Sequence, residues 1–122
     1  MVNHGPLRSL IELDDTPDAP LLRELVKMFG TQTPLHFTKM EKALKGQDPT
    51  TIFRAAHTLK SSASYLGATE MVELCKKIET WSTQEPLDLS QGQRLILELK
   101  KDYEITACEL SGFLATLPPL SH

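Results

Sequence analysis

Two cysteines, Cys75 and Cys108, stand in a chain of 122 residues. They are too few and too far apart for the disulfide framework of a small secreted scaffold, and no Cys-x-x-Cys pair points to zinc. Both are expected to be reduced, partly buried helix residues. No apolar run approaches the roughly 18 residues of a membrane span, and no signal-peptide core precedes the first polar residues, so the expected location is cytoplasmic. Positive charge is not in excess: 13 Lys and Arg face 16 Asp and Glu, a formal net charge of −3. A nucleic-acid or membrane-surface role would call for a basic stripe, so both are disfavoured. There is no glycine-rich loop of the form GxxxxGK[ST] or GxGxxG, hence nothing to bind ATP. The histidines His4, His36, His57 and His122 are scattered, and none forms the Glu-x-x-His pair of a metal-binding bundle. No metal or cofactor of its own is expected.

The remaining composition, 40% hydrophobic and 24% charged, fits one soluble domain able to build a core without staples. The whole chain reads as that domain, with its core at about residues 16–116 and short tails. Its punctuation is helical throughout. A short helix fits Leu7–Leu13, and Thr16-Pro17 then reads as an N-cap followed by proline at the first helical position. A long helix runs from there to about Lys45 with Gly46 as its C-cap, and Gly30 and Pro34 predict a kink or a short break within it. Asp48-Pro49 repeats the start signal for a helix ending at Gly67. Thr69 caps the next helix, which runs to about Ser82. Ser90 and Gln93 form a capping box ahead of the last helix, and Pro118-Pro119 stops it. The expected fold is all-α: an antiparallel four-helix bundle with a short additional N-terminal helix.

Within Ala55–Ala68, AAHTLKSSASYLGA, one histidine falls on the wrong side of the helix for a core residue. At about 100° per residue, Ile52, Ala55, Ala56, Leu59, Ser62, Ala63 and Leu66 gather on one face, the stripe that packs into a core. His57 points the opposite way, among Phe53, Arg54, Lys60, Ser61 and Ser64. An exposed imidazole is either an idle surface group or a nucleophile, and spacing alone leaves both open.

The segment AHTLKSSASYLGA resembles the signature of histidine-containing phosphotransfer (HPt) domains, usually written AHxLKGSSxxxGA. Ala56, His57, Leu59, Lys60, Ser62, Gly67 and Ala68 match it position for position. The likeness continues into MVELCKKIE at 71–79 and backward through LLRELVKMF and the turn at Ala43–Asp48, covering roughly residues 16–82. Two positions depart from it. Ser61 replaces a glycine beside the reactive ring, where the absence of a side chain lets a partner approach, and Ala63 replaces a serine on the buried side. The resemblance implies that His57 is a phosphoacceptor. It implies partners too: response-regulator receiver domains, a hybrid sensor histidine kinase, or both. Mg²⁺ is then expected on the partner receiver rather than on this chain, which acts as a monomeric phosphoryl carrier and not as an enzyme.

If the helices flanking Gly67 form a hairpin, His57 lies ten residues before the turn and Glu79 twelve after it. At about 1.5 Å rise per residue the two stand at nearly one level. Glu79 also occupies a position where the family commonly has a glutamate or glutamine beside the histidine. A carboxylate accepting from Nδ1–H would fix the tautomer and leave the Nε2 lone pair outward; alternatively Glu79 is a surface glutamate paired with Lys76. Lys60, one turn from His57, is either a cation for phosphoryl oxygens or a solvated lysine. Arg54 is a weaker candidate for the same role, and Ser61 and Ser64 lie phosphate-adjacent. Phe53 belongs to an apolar docking patch or tucks against the long preceding helix. Two other classes remain as alternatives. One is a helical bundle that binds receivers without phosphotransfer. The other, the dimerising histidine domain of a sensor kinase, is disfavoured because no proline follows the histidine and no ATP-binding domain follows the bundle.

Overall fold

The computed structural model describes residues 20–116, and within them the chain forms four helices and no strand: α1 (Pro20–Lys45), α2 (Pro49–Tyr65), α3 (Thr69–Ser82) and α4 (Leu89–Ala115). The expected helix at Leu7–Leu13, the start at Thr16-Pro17 and the stop at Pro118-Pro119 lie outside the described residues. Each helix packs on the next, and α1 closes the ring against α4. This is the expected antiparallel four-helix bundle.

Every helix buries one stripe at three- and four-residue spacing, because 3.6 residues per turn returns those positions to the same side. From α2 the buried set is Ile52, Ala55, Ala56, Leu59 and Ala63; from α3 it includes Met71, Cys75, Ile78 and Trp81. Leu22, Phe29, Phe37 and Met40 of α1 and Leu95, Ile96, Leu99 and Leu110 of α4 complete the core. Each fully buried leucine or isoleucine contributes about 1.5–3 kcal/mol relative to leaving it exposed. The alanines of α2 keep the α2–α3 pair close, and this proximity brings His57 and Glu79 into contact across the hairpin.

The turn between them follows from backbone chemistry. Gly67 takes φ 73°, and Ala68 N–H reaches back to the Ala63 carbonyl at 2.9 Å, the six-to-one bond of a Schellman ending. The α1–α2 turn uses the same device, with Asp48 N–H on the Ala43 carbonyl at 2.8 Å. There the left-handed residue is Gln47, at φ 52°, and not Gly46. Asp48 then caps α2 as expected, accepting from Thr51 N–H at 3.2 Å and from the Thr51 hydroxyl at 2.6 Å. These bonds to Thr51 hold the Asp48 carboxyl below the usual carboxylate range.

Three local expectations are corrected. Thr69 is the first residue of α3 and Ala68 occupies the cap position, without a side-chain cap bond. The Ser90–Gln93 box does not form: Asp88 caps α4 by accepting from Gln91 N–H at 3.2 Å, and Ser90 falls inside the helix. The indole Nε1–H of Trp81 donates to the Asp88 carbonyl at 2.7 Å, which ties the end of α3 to the residue that caps α4. Finally, of the kink or short break expected in α1 the break does not occur, and the helix runs on through Gly30 and Pro34. Proline removes the N–H that would bond the Gly30 carbonyl. The Tyr103 hydroxyl of α4 donates to that carbonyl at 3.4 Å, while its ring meets Phe29 and Phe37 edge to face at 5.4 and 5.6 Å. Gly30 itself has open space where a Cβ would go. Gly30→Ala is therefore expected to raise unfolding stability by about 0.5–1 kcal/mol through helix propensity, read as a higher midpoint in chemical denaturation. A lower midpoint would mean that the glycine is needed beside Pro34.

Candidate functional site

The α2 stripe that buries Ala56 and Leu59 turns His57 outward, and its side chain is 59% exposed. Across the hairpin, Glu79 of α3 presents Oε2 to His57 Nδ1 at 3.4 Å, the level match expected from counting residues on either side of Gly67. This is a long contact for a hydrogen bond. A carboxylate only accepts, so the contact selects the tautomer with hydrogen on Nδ1 and leaves the Nε2 lone pair on the far side of the ring.

Glu79 is held mainly by another residue. Lys60 Nζ lies 2.7 Å from Glu79 Oε1, with side-chain exposures of 26% and 13%. Oε1 is closed off from solvent and receives no well-directed hydrogen bond, so the short distance describes a charge contact off the hydrogen-bond axis. A carboxylate this buried is costly without a compensating cation, and Lys60 supplies it. Lys60 thus departs from the outer-face placement: it is partly buried and turned toward Glu79. The alternative partner for Glu79 is also corrected, since Lys76 pairs with Glu73 at 3.3 Å. Three side chains at His57, Lys60 and Glu79 therefore form one chain of contacts, imidazole to carboxylate to ammonium.

The other site residues arrange themselves around this chain. Phe53, one turn before His57, is exposed at 36%, and its ring lies parallel to the imidazole, with centroids 6.1 Å apart and planes 6° from parallel. Ser61 is exposed, and its hydroxyl donates to the His57 carbonyl at 3.4 Å; Ser64 is exposed one turn further on. Arg54 is exposed on the same helix. Cys75, one turn before Glu79, is fully buried. Burial first, and then the negative charge of Glu79, push its thiol up to about 12, so it stays protonated and inert. Cys108 is exposed, and neither cysteine is bonded to another. One being buried and the other exposed replaces the expectation that both would be partly buried. His36 of α1 stands apart from the site, its imidazole held below its usual range by burial and by Lys39; His4 and His122 lie outside the described residues.

The pairing of Lys60 with Glu79 escaped the reading of the sequence, although its signal was present. Lys60 is one turn from His57, and a carboxylate already placed level with His57 is within reach of both.

A helical bundle that presents an imidazole to solvent, with a carboxylate from the neighbouring helix at its Nδ1 edge, is the arrangement in which to look for a class of helical carriers. A family model of the Hpt domain matches residues 24–105, and the chain belongs to that family, the helical phosphocarriers of two-component signalling. Among known proteins it is similar to multistep phosphorelay regulator 1 of Schizosaccharomyces pombe (strain 972 / ATCC 24843), at 25% identity over 88 residues. That match takes in 72% of this chain and 30% of the relative's length. Among solved structures it is similar to histidine-containing phosphotransfer protein B from Pseudomonas aeruginosa PAO1, with a TM-score of 0.79 at 20% identity over 93% of this chain and 94% of that one. At this identity the likeness is one of fold. Among the described residues, no helix is long and apolar enough to cross a membrane.

Proposed function

We propose that His57 is the phosphoacceptor and that this domain relays a phosphoryl group between aspartates of response-regulator receiver domains, or from a hybrid sensor kinase to such a receiver. The observation that carries the reading is the contact of Glu79 with the Nδ1 edge of an imidazole whose side chain is 59% exposed. In the transfer, the Nε2 lone pair attacks phosphorus in line with the bond to the donor carboxylate. The N–P bond forms as the P–O bond breaks, and the aspartate leaves as a carboxylate. Nδ1 keeps its hydrogen toward Glu79, so the ring gains positive charge next to a negative one. Lys60, held against Glu79 at 2.7 Å, keeps a positive charge one helical turn from the imidazole, where it favours the negative phosphoryl group through space, and Ser61 and Ser64 offer hydroxyls on the same face. The chain's task is positioning, the main demand in phosphoryl transfer. Mg²⁺ is assigned to the partner receiver, where it would neutralise charge on the transferring group. A cytoplasmic monomer fits this role.

The test is to incubate the protein with a phosphorylated receiver domain and map the label by mass spectrometry under neutral conditions. The expected adduct sits on His57, is lost in acid and survives base, as a phosphoramidate does. Label on a serine, threonine or other histidine would overturn the assignment.

A further inference from the structure

An imidazole as exposed as that of His57 would sample several rotamers if nothing held it. Two contacts reach it. Glu79 Oε2 meets the Nδ1 edge at 3.4 Å, and Phe53 lies parallel to the ring at 6.1 Å between centroids. The first contact fixes which edge faces α3 but leaves the ring free to swing about that edge. The second limits that swing, because moving the imidazole away from the Phe53 ring gives the contact up.

We propose that Phe53 is a positioning residue for phosphoryl transfer, clamping the imidazole of His57 in the plane that keeps Nε2 aimed at the incoming phosphorus. The proposal rests on His57 being the phosphoacceptor. Helix geometry supports it: side chains lean toward the N-terminus, so His57 lies over the turn that carries Phe53, and the i, i+4 spacing makes them neighbours. Burial supports it as well. Ile52, the residue before, fills the core at 0% exposure, whereas the large apolar ring of Phe53 remains 36% exposed. The separation of the two rings falls inside the roughly 4.5–7 Å range of interacting aromatic pairs.

Phosphoramidate as donor separates positioning from docking, because it needs no protein interface. Nε2 forms the new N–P bond, the donor's P–N bond breaks, and ammonia leaves with that electron pair. Phe53→Leu is expected to slow labelling of His57 by phosphoramidate between about two- and tenfold, the range of an aromatic pair contact. Phe53→Tyr, which keeps the ring, should label at the wild-type rate. NMR relaxation of the imidazole should show larger ring motion in Phe53→Leu and recovery in Phe53→Tyr, with the Nδ1–H tautomer set by Glu79 unchanged, and a merely structural residue would not alter the ring motion. Should Phe53→Leu unfold early, Phe53→Met supplies the same ring deletion with a side chain of similar length. Equal phosphoramidate labelling in wild type and ring-deleted variants overturns the proposal. So does slowing seen only with a phosphorylated receiver, which would make Phe53 a docking contact. Absence of label on His57 in the wild type is a different result: it overturns the phosphoacceptor reading, and the proposal with it.

Discussion

A His57→Gln variant is expected to take up no acid-labile phosphate from any phosphorylated receiver or from phosphoramidate, while folding as the wild type does. The amide nitrogen of glutamine has its lone pair delocalised and cannot attack phosphorus, so the loss should be complete rather than partial. Stability should stay within about 0.5 kcal/mol, because the side chain is more than half exposed and its one polar contact, to Glu79, is long. Glu79 retains Lys60 at 2.7 Å, so no buried charge is orphaned by the change. Receiver binding, measured by calorimetry or NMR titration, should survive. That pattern of lost chemistry with retained fold and binding separates a phosphoryl carrier from a bundle that merely docks. Persistent label in the variant would place the acceptor elsewhere. A wild type that binds receivers yet never carries phosphate would favour the interaction module.

The largest structural effect is expected at Gly92. A Cβ built there would lie 2.2 Å from Cζ2 of Trp81 and within 2.7 Å of two further ring atoms. A rigid indole that is 1% exposed has nowhere to move without disturbing the core. Gly92→Ala should therefore cost about 3 kcal/mol or more, the upper end of overpacking. Displacing the ring would also strain the 2.7 Å bond from Trp81 Nε1–H to the Asp88 carbonyl, which links the end of α3 to the start of α4. The protein contains a single tryptophan, so fluorescence-detected denaturation reports on this contact directly. Combining Gly92→Ala with Trp81→Leu should recover part of the loss, giving a coupling energy that a double-mutant cycle measures. If Gly92→Ala unfolds at the wild-type midpoint, the indole does not pack on that helix as described. The contrast with Gly30→Ala is instructive, since two glycines inside helices carry opposite expectations. Which one tolerates a methyl group depends on what the neighbouring helix places above it.

The helix order, the outward histidine and the level of Glu79 were legible in the chain because each depends on short-range geometry. A 3.6-residue period decides which side of α2 faces the core, and a fixed rise per residue carries the register across Gly67. The Asp48 cap and the glycine turn are local chemistry as well. Three of the readings failed where a residue of another helix makes the contact. Of the kink or short break expected at Gly30 and Pro34 the break does not occur, and the carbonyl stranded by the proline receives the Tyr103 hydroxyl, 73 positions away. Asp88 rather than Ser90 starts α4, with the Trp81 indole on its carbonyl and the ring over Gly92. Lys60 abandons the solvent face because a glutamate from the next helix is 13% exposed and its charge demands a cation. Periodicity and caps are set by neighbours along the chain, whereas the desolvation of a carbonyl or a carboxylate exists only after the helices have packed. The parallel planes of Phe53 and His57 are likewise a relation that i, i+4 spacing permits but does not require.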